Sequence, residues 1–385
     1  MAVEPMATIQ QTILQTLAEL VSINSVSTSS NAEIADYLTS RCETIGLSTR
    51  RVNYTDENGI EKTNLIALAG TDSADIELAL VGHTDTVPFE QGWTDALNLT
   101  EVGGNLYGRG ACDTKGFIAA ALTAVESLHI SRLRRPLALV FTADEEIGLR
   151  GAKYLADAKA LRIRYCIVGE PTSLRPIRAG KGYSLAQVVV RGREAHSAYP
   201  ALGASAILGA ARLIRRIEAI AEDLKPERHS AFDPPFTTLN IGLIKGGTAK
   251  NVVPGECQFT LEWRSIPGQD SKRVLELVQT AMRNERSDDL QFEVTLDATR
   301  ADTGFETPSN SELLRLLEEL SGFKAGTVAF GTEAAQMNQL GAEAVVLGPG
   351  DIRVAHRTGE YVPIVELQRC QAILKEAITS LCGFR

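Results

Sequence analysis

The chain has no Cys-x-x-Cys pair. Its six cysteines (Cys42, Cys112, Cys166, Cys257, Cys370 and Cys382) are scattered, which argues against a zinc ribbon or a thioredoxin-like centre. In a chain of 385 residues such scatter fits a reducing cytoplasm better than a disulfide framework. Positive charge is also in deficit. The formal net charge of -9 argues against nucleic acid or an anionic membrane surface as partner. No run approaches the roughly 18 apolar residues of a membrane span. A basic-then-apolar leader is missing too; Ile9, Ile13, Leu14, Leu17, Leu20 and Val21 fall at helical spacing instead. There is no internal repeat and no low-complexity tract. The phosphate loops GxxxxGK(S/T) and GxGxxG do not occur in a strand-to-helix setting. These absences point to a globular cytoplasmic protein.

What is there is ordinary in composition and ordered in pattern. Hydrophobic residues make up 44% and charged residues 23%, and the length suits two domains. Strands and helices alternate, which predicts an α/β fold with a mixed, mostly parallel sheet. Glu77 to Val81, Leu137 to Thr142 and Tyr165 to Val168 read as buried strands; Phe117 to Leu128 and Gly151 to Ala158 read as helices. The rhythm changes after Ser184. It runs strand (Ser184 to Val190), helix (Ala204 to Ile220), strand (Thr237 to Ile244), strand (Gln258 to Arg264), helix (Ser271 to Met282), strand (Gln291 to Thr295). That βαββαβ order predicts an inserted ferredoxin-like domain over 184–296. The first domain, 1–183, then resumes over 297–385, with helices at Ser311 to Ser321 and Val365 to Leu381 and extended segments at Thr327 to Phe330 and Ala344 to Leu347.

Five short acidic-histidine clusters stand just past hydrophobic runs: VGHTDT (Val81 to Thr86), GACDTKG (Gly110 to Gly116), TADEEIG (Thr142 to Gly148), GEPT (Gly169 to Thr172) and AHRTGEY (Ala355 to Tyr361). Ligands of open α/β sheets gather outside the carboxyl ends of strands, so the clusters are expected to converge. They offer His83, Asp85, Asp113, Glu145, Glu146, Glu170 and His356, enough for two divalent cations sharing a carboxylate. Such two-metal sites activate water for hydrolysis.

Within the clusters the residue types suggest roles. In His83-Thr84-Asp85, alternate residues of an extended segment face one way, so Asp85 can hold the His83 ring. Asp113 can bridge two cations or cap the helix that follows it; the bridge is favoured. Adjacent Glu145 and Glu146 at a strand end point apart, so one can bind metal while the other stands beside the attacking water. Pro171 keeps Glu170 extended. Cys112 beside Asp113 reads as a small buried side chain rather than a thiolate ligand. In the inserted segment, His196 sits in a loop before a helix, either at the surface or facing substrate. The loop Gly246 to Pro254 carries Asn251, and Arg264 ends a strand; both suit an anionic group.

These stretches resemble the di-zinc aminoacylase and carboxypeptidase family, which includes acetylornithine deacetylases, succinyl-diaminopimelate desuccinylases and glutamate-releasing carboxypeptidases. The resemblance spans nearly the whole chain. It implies two ions, zinc or cobalt, with His83 and Glu170 on one, Glu146 and His356 on the other, and Asp113 bridging. It implies Glu145 as general base, Asp85 behind His83, and Asn251 and Arg264 on the substrate carboxylate. The inserted domain would serve as lid and dimerisation surface, with His196 reaching the partner's site in a homodimer. GHTDTVPF, LYGRG, TADEE, GEPTSLRPIRAGKG, TLNIGLIKGG, GTEA and LGPGDIRVAH look most like the acetylornithine deacetylase branch. Glu333, in Gly331-Thr332-Glu333-Ala334, stands where desuccinylases carry a Ser-Asp-Gly-Arg-like stretch; it suits a substrate amine or caps the next helix. Departures from the family are Thr114 in place of a methionine, the lack of Pro-Phe after Trp93, and a TAKNVVP loop closer to the carboxypeptidases. The implied reaction is hydrolysis of an N-acyl-L-amino acid, N-acetyl-L-ornithine first. A succinyl-diaminopimelate, acetylcitrulline or glutamyl-peptide substrate, or a non-catalytic metal-binding role, are the alternatives.

Overall fold

The computed structural model describes residues 6–70, 75–288 and 292–385. Along the chain come α1 (Met6–Ser22), α2 (Ala32–Ile45), β1 (Ser48–Thr55), β2 (Glu61–Ala69), β3 (Asp75–His83), β4 (Thr100–Val102), β5 (Asn105–Tyr107), α3 (Lys115–Glu126), β6 (Leu137–Thr142), α4 (Arg150–Asp157), β7 (Arg162–Val168) and β8 (Ile177–Gly180). Next are β9 (Ser184–Arg191), β10 (Ala195–His196), α5 (Ala206–Leu224), β11 (Thr238–Gly246), β12 (Val252–Val253), β13 (Glu256–Arg264), α6 (Arg273–Asp288), β14 (Glu293–Ala301) and β15 (Phe305–Glu306). The chain closes with α7 (Glu312–Ser321), β16 (Gly326–Val328), α8 (Ala334–Gln339), β17 (Glu343–Val346), β18 (Tyr361–Pro363) and α9 (Ile364–Cys382).

Two compact units result. Residues 179–306 with 327–331 form one, and the other described residues form the first. The junctions lie outside the expected 183/184 and 296/297, because β14 runs on to Ala301 and β15 pairs with the end of β8. Gln291, the expected start of the last strand of the insert, lies outside the described residues.

The first unit is built on a sheet ordered β1-β2-β6-β3-β7-β17-β8. Parallel pairing is confined to its centre, where β6, β3, β7 and β17 run side by side; the strands beyond are antiparallel. All six residues of β6 are buried, as expected of a parallel strand covered on both faces. The α3 sequence KGFIAAALTAVE is apolar almost all round, and it is buried along nearly its whole length. It shares one core with α1, α2, α7 and α9. Outside that core, α4 and α8 pack together on the sheet.

The second unit has a four-stranded antiparallel sheet, β11-β13-β9-β14, and a core shared by α5 and α6. β9 alternates buried and part-buried positions, the period of a sheet covered on one face. A separate two-residue ladder joins β10 to β12. Among the described residues no helix is long and apolar enough to cross a membrane.

Candidate active site

Parallel pairing in the first unit puts three of the five clusters side by side. His83 is the last residue of β3 and pairs with Thr142, the last of β6. On the other side of β3, Val81 pairs with Val168, the last residue of β7, so Glu170 follows at the same edge. Asp113 lies just before α3, and its peptide bond to Thr114 is cis. The Thr114 hydroxyl, where the family commonly has methionine, donates to the Gly169 carbonyl at 3.0 Å and ties the Asp113 loop to the β7 end. Gly169 has to be glycine here, since a Cβ would stand 2.2 Å from the Phe117 ring. His356 arrives on a loop before β18, with φ of 59°.

The side chains converge. His83 Nε2 is 3.0 Å from Asp113 Oδ1, and His356 Nε2 is 3.1 Å from Asp113 Oδ2. Asp113 therefore turns one oxygen to each imidazole. It does not cap α3; Thr114 occupies the cap position, without a side-chain bond. His356 Nε2 also lies 3.0 Å from Glu146 Oε1. One ligand atom from each of His83, Asp113 and Glu146 falls within 4.8 Å of the others, so this trio could hold a metal ion. His83 and Asp113 are buried, while the His356 side chain is 49% exposed, giving the cluster a closed floor and an open rim.

Behind the cluster lie Asp85, expected beside the His83 ring, and further partners the sequence did not announce. The oxygen nearest His83 Nδ1 is the backbone carbonyl of Asp85, at 3.0 Å; the Asp85 carboxylate is 3.6 Å away. That carboxylate is turned to other donors: the Ser27 hydroxyl at 2.7 Å and the N–H groups of Glu145 and Glu146 at 3.1 and 3.2 Å. Glu360 is fully buried, and its Oε1 accepts the N–H of both Cys112 and Asp113 at 3.0 Å. Its Oε2 is held by Arg109 at 2.5 Å. The only signal for Glu360 was its place in the AHRTGEY cluster.

Charge is unbalanced here. Burial pushes Glu145, Glu146 and Glu170 above the usual carboxylate range, and neighbouring carboxylates add to it. Asp113 is held low despite its burial, by His356 and His83. Hydrogen bonds to Asp113 and Glu146 raise His356 to about 10. Burial opposes charge on His83, yet the bond to Asp113 and the nearby Asp85 carboxylate carry it well above the ordinary value. A set of acids crowded until they resist ionising, with imidazoles between them, suits a cationic occupant.

Glu333 is the departure. Expected against a substrate amine or as a helix cap, its side chain is 1% exposed and makes no cap bond at the start of α8. Among the described residues its Oε1 has no hydrogen-bond partner within bonding geometry, although the Thr142 hydroxyl stands near enough to favour its charge. The cause is the packing of α8 on the sheet, which turns the carboxylate inward. It adds to the negative potential at Glu145 and Glu170.

His196, Asn251 and Arg264 lie in the second unit. The β10–β12 ladder sets His196 opposite Val252, and the Ser197 N–H donates to the Asn251 carbonyl at 3.0 Å. His196, on that ladder, and Asn251, just before it, are both exposed. Arg264 is not isolated: Nε donates to Glu262 Oε1 at 3.0 Å, and the guanidinium stacks over the Tyr183 ring at 4.0 Å.

Known proteins are similar to this chain over nearly its whole length. A curated acetylornithine deacetylase from Myxococcus xanthus is 52% identical over 372 residues, covering 96% of this chain and 97% of that protein. A tripeptidase structure from Staphylococcus aureus superposes with a TM-score of 0.77 at 24% identity, covering 96% and 98% of the two chains. A metallo-carboxypeptidase from Sulfolobus solfataricus does so with a TM-score of 0.74 at 19% identity, covering 96% and 99%. At such identities these two likenesses speak for the fold. The sequence profile of peptidase family M20/M25/M40 matches residues 79–380, from inside β3 to inside α9. Every cluster described above falls within that span, and the chain belongs to peptidase family M20/M25/M40.

Proposed function

We propose that the protein hydrolyses the amide bond of N-acyl-L-amino acids and that its substrate is N-acetyl-L-ornithine, released as L-ornithine and acetate. The observation that carries this is the 52% identity, over 96% of the chain, to an acetylornithine deacetylase. On this reading the reaction belongs to arginine biosynthesis in the cytoplasm, and the working form is a homodimer.

The donor set fits two divalent ions, zinc or cobalt. Asp113 offers its two oxygens in two directions, each already facing an imidazole nitrogen. His83 and Glu170 would hold one ion, Glu146 and His356 the other, with Asp113 between them. When bound, the pair would lower the pKa of a water and polarise the amide carbonyl.

The protein's own groups do the rest. Glu145, adjacent to Glu146 in the chain and with its N–H held by the Asp85 carboxylate, takes a proton from the attacking water. It then returns that proton to the leaving amine nitrogen. The Asp85 carbonyl fixes which ring nitrogen of His83 faces Asp113. Asn251 and Arg264 hold the substrate carboxylate, Arg264 sharing its guanidinium with Glu262. His196, from the partner in the dimer, stabilises the developing oxyanion. Glu333 contributes negative potential from beneath rather than a contact.

The test is hydrolysis of N-acetyl-L-ornithine, N-succinyl-L,L-diaminopimelate, N-acetyl-L-citrulline and a glutamyl dipeptide by zinc- or cobalt-loaded protein, with EDTA controls. Preference for acetylornithine, abolished by EDTA, is expected. Preference for another substrate overturns the specificity, and absence of metal-dependent turnover on any of them overturns the hydrolase reading.

A further inference from the structure

Lys62 sits in β2, in the stretch EKTNLIALA, and its side chain is 1% exposed. A buried ammonium is costly unless each of its donors is met. Here all three are. Lys62 Nζ donates to Asp144 Oδ1 at 2.7 Å, to the Ser27 carbonyl at 2.6 Å and to the Ser29 carbonyl at 2.8 Å. The other oxygen of Asp144 accepts the Tyr54 hydroxyl at 2.9 Å. Asp144 itself has φ of 55°, a left-handed conformation that a residue other than glycine keeps only when its surroundings hold it there.

These contacts close a ring. Ser27 Oγ donates to the Asp85 carboxylate at 2.7 Å. That carboxylate accepts the N–H groups of Glu145 and Glu146. Glu145 follows Asp144 in the chain, Asp144 is bound by Lys62, and Lys62 donates back to Ser27. The ring has one charged donor, and it encloses the turn from which Glu145 projects.

We infer that Lys62 is a positioning residue, whose ammonium acts through Asp144 and Ser27 to hold the turn that aims Glu145. The inference rests on the assignment of Glu145 as the base. Buried ion pairs add little net stability, and neutral residues of similar volume often replace them without loss. A positioning role therefore predicts that stability and turnover separate when the pair is neutralised.

The test is the double variant Lys62→Met/Asp144→Asn, which removes both charges at similar volume and leaves an asparagine that tolerates a left-handed backbone. The expected result is an unfolding midpoint and metal content close to the parent's, KM within about twofold, and kcat lower by about 10–100-fold. The amides of Glu145 and Glu146 should exchange faster with solvent, while those of β6 keep their protection. Unchanged kcat in the folded variant overturns the inference. So does a loss of kcat accompanied by metal loss or by faster exchange throughout the unit. If the double variant does not fold, Ser27→Ala breaks the same ring by one hydroxyl: lower kcat at constant KM and metal content supports the inference, and no change overturns it.

Combination with Glu145→Gln separates the two assignments. If Lys62 acts through Glu145, neutralising the pair lowers the residual rate no further, and an additional independent fall overturns the inference. If Glu145→Gln alone keeps the parental rate, the base assignment fails. The exchange of the Glu145 and Glu146 amides then still decides whether Lys62 holds the turn.

Discussion

Glu146 Oε1 and His356 Nε2 meet at 3.0 Å although 210 residues separate them in the chain. Glu146 comes from the end of β6, and His356 from a loop that forms only after the chain has built the second unit and returned. If both hold the same ion, His356→Ala and Glu146→Ala should each reduce bound metal from about two ions per chain to about one. Combining them should remove no more. Metal analysis after exhaustive dialysis checks this; full occupancy in either single variant would show that the contact is only a hydrogen bond.

Glu145→Asp keeps the charge and withdraws it by one methylene. Metal content should be unchanged if Glu145 acts as the base, because the proposed ligands are His83, Asp113, Glu146, Glu170 and His356. Proton transfer needs the carboxylate within hydrogen-bond reach of both water and leaving nitrogen, so kcat should fall by about 10²–10⁴ with KM little changed. Parental turnover in the aspartate variant would rule Glu145 out as the base.

Much of this site was legible in the sequence for one reason. Buried parallel strands such as LALVFT are continuous apolar runs, so a carboxylate or histidine just beyond one is marked as a strand-end residue. His83, Glu145, Glu146 and Glu170 all stand so. The groups that hold them in place were not legible. Lys62 looks like an ordinary strand lysine, and Glu360 like one more residue of a polar loop, until Asp144 and Arg109 arrive from distant segments. Tertiary contact, not local pattern, makes a buried polar group tolerable. β1 was silent for a related reason: all its positions are exposed or part-buried, and it has no apolar run to show. The Glu333 motif announces a carboxylate but not its burial, which follows from the start of α8.

Glu360 carries a prediction of its own. Its carboxylate receives two backbone N–H groups of the Asp113 loop and neutralises Arg109, which is 2% exposed. Glu360→Ala leaves that guanidinium buried without its counter-charge, a change that costs about 3–5 kcal/mol. The loop holding Asp113 loses two anchors as well, so metal affinity should fall by about 10–100-fold. Glu360→Gln keeps an acceptor for both N–H groups and should show the smaller metal defect. Urea unfolding and zinc titration measure the two effects; parental metal affinity in both variants would mean the loop does not depend on Glu360.

Glu333 offers a test in pH. Burial raises its pKa from 4.5 to about 7 in the folded chain. The native state therefore keeps this proton up to about 7, while the unfolded chain releases it near 4.5. Between those values the folded form binds more protons, so its stability falls as pH rises through the window and then levels off. Glutamine cannot ionise and escapes the loss. Metal-free Glu333→Gln should match the parent near pH 4.5 and exceed its stability above pH 7 by up to about 3 kcal/mol, since each tenfold change in proton affinity is worth about 1.4 kcal/mol. Urea unfolding of both proteins across that range decides. A variant no more stable than the parent at about pH 8, beyond the end of the window, would mean that the Glu333 carboxylate is charged and satisfied in the folded protein, as it would be if it served a cation in the site above it.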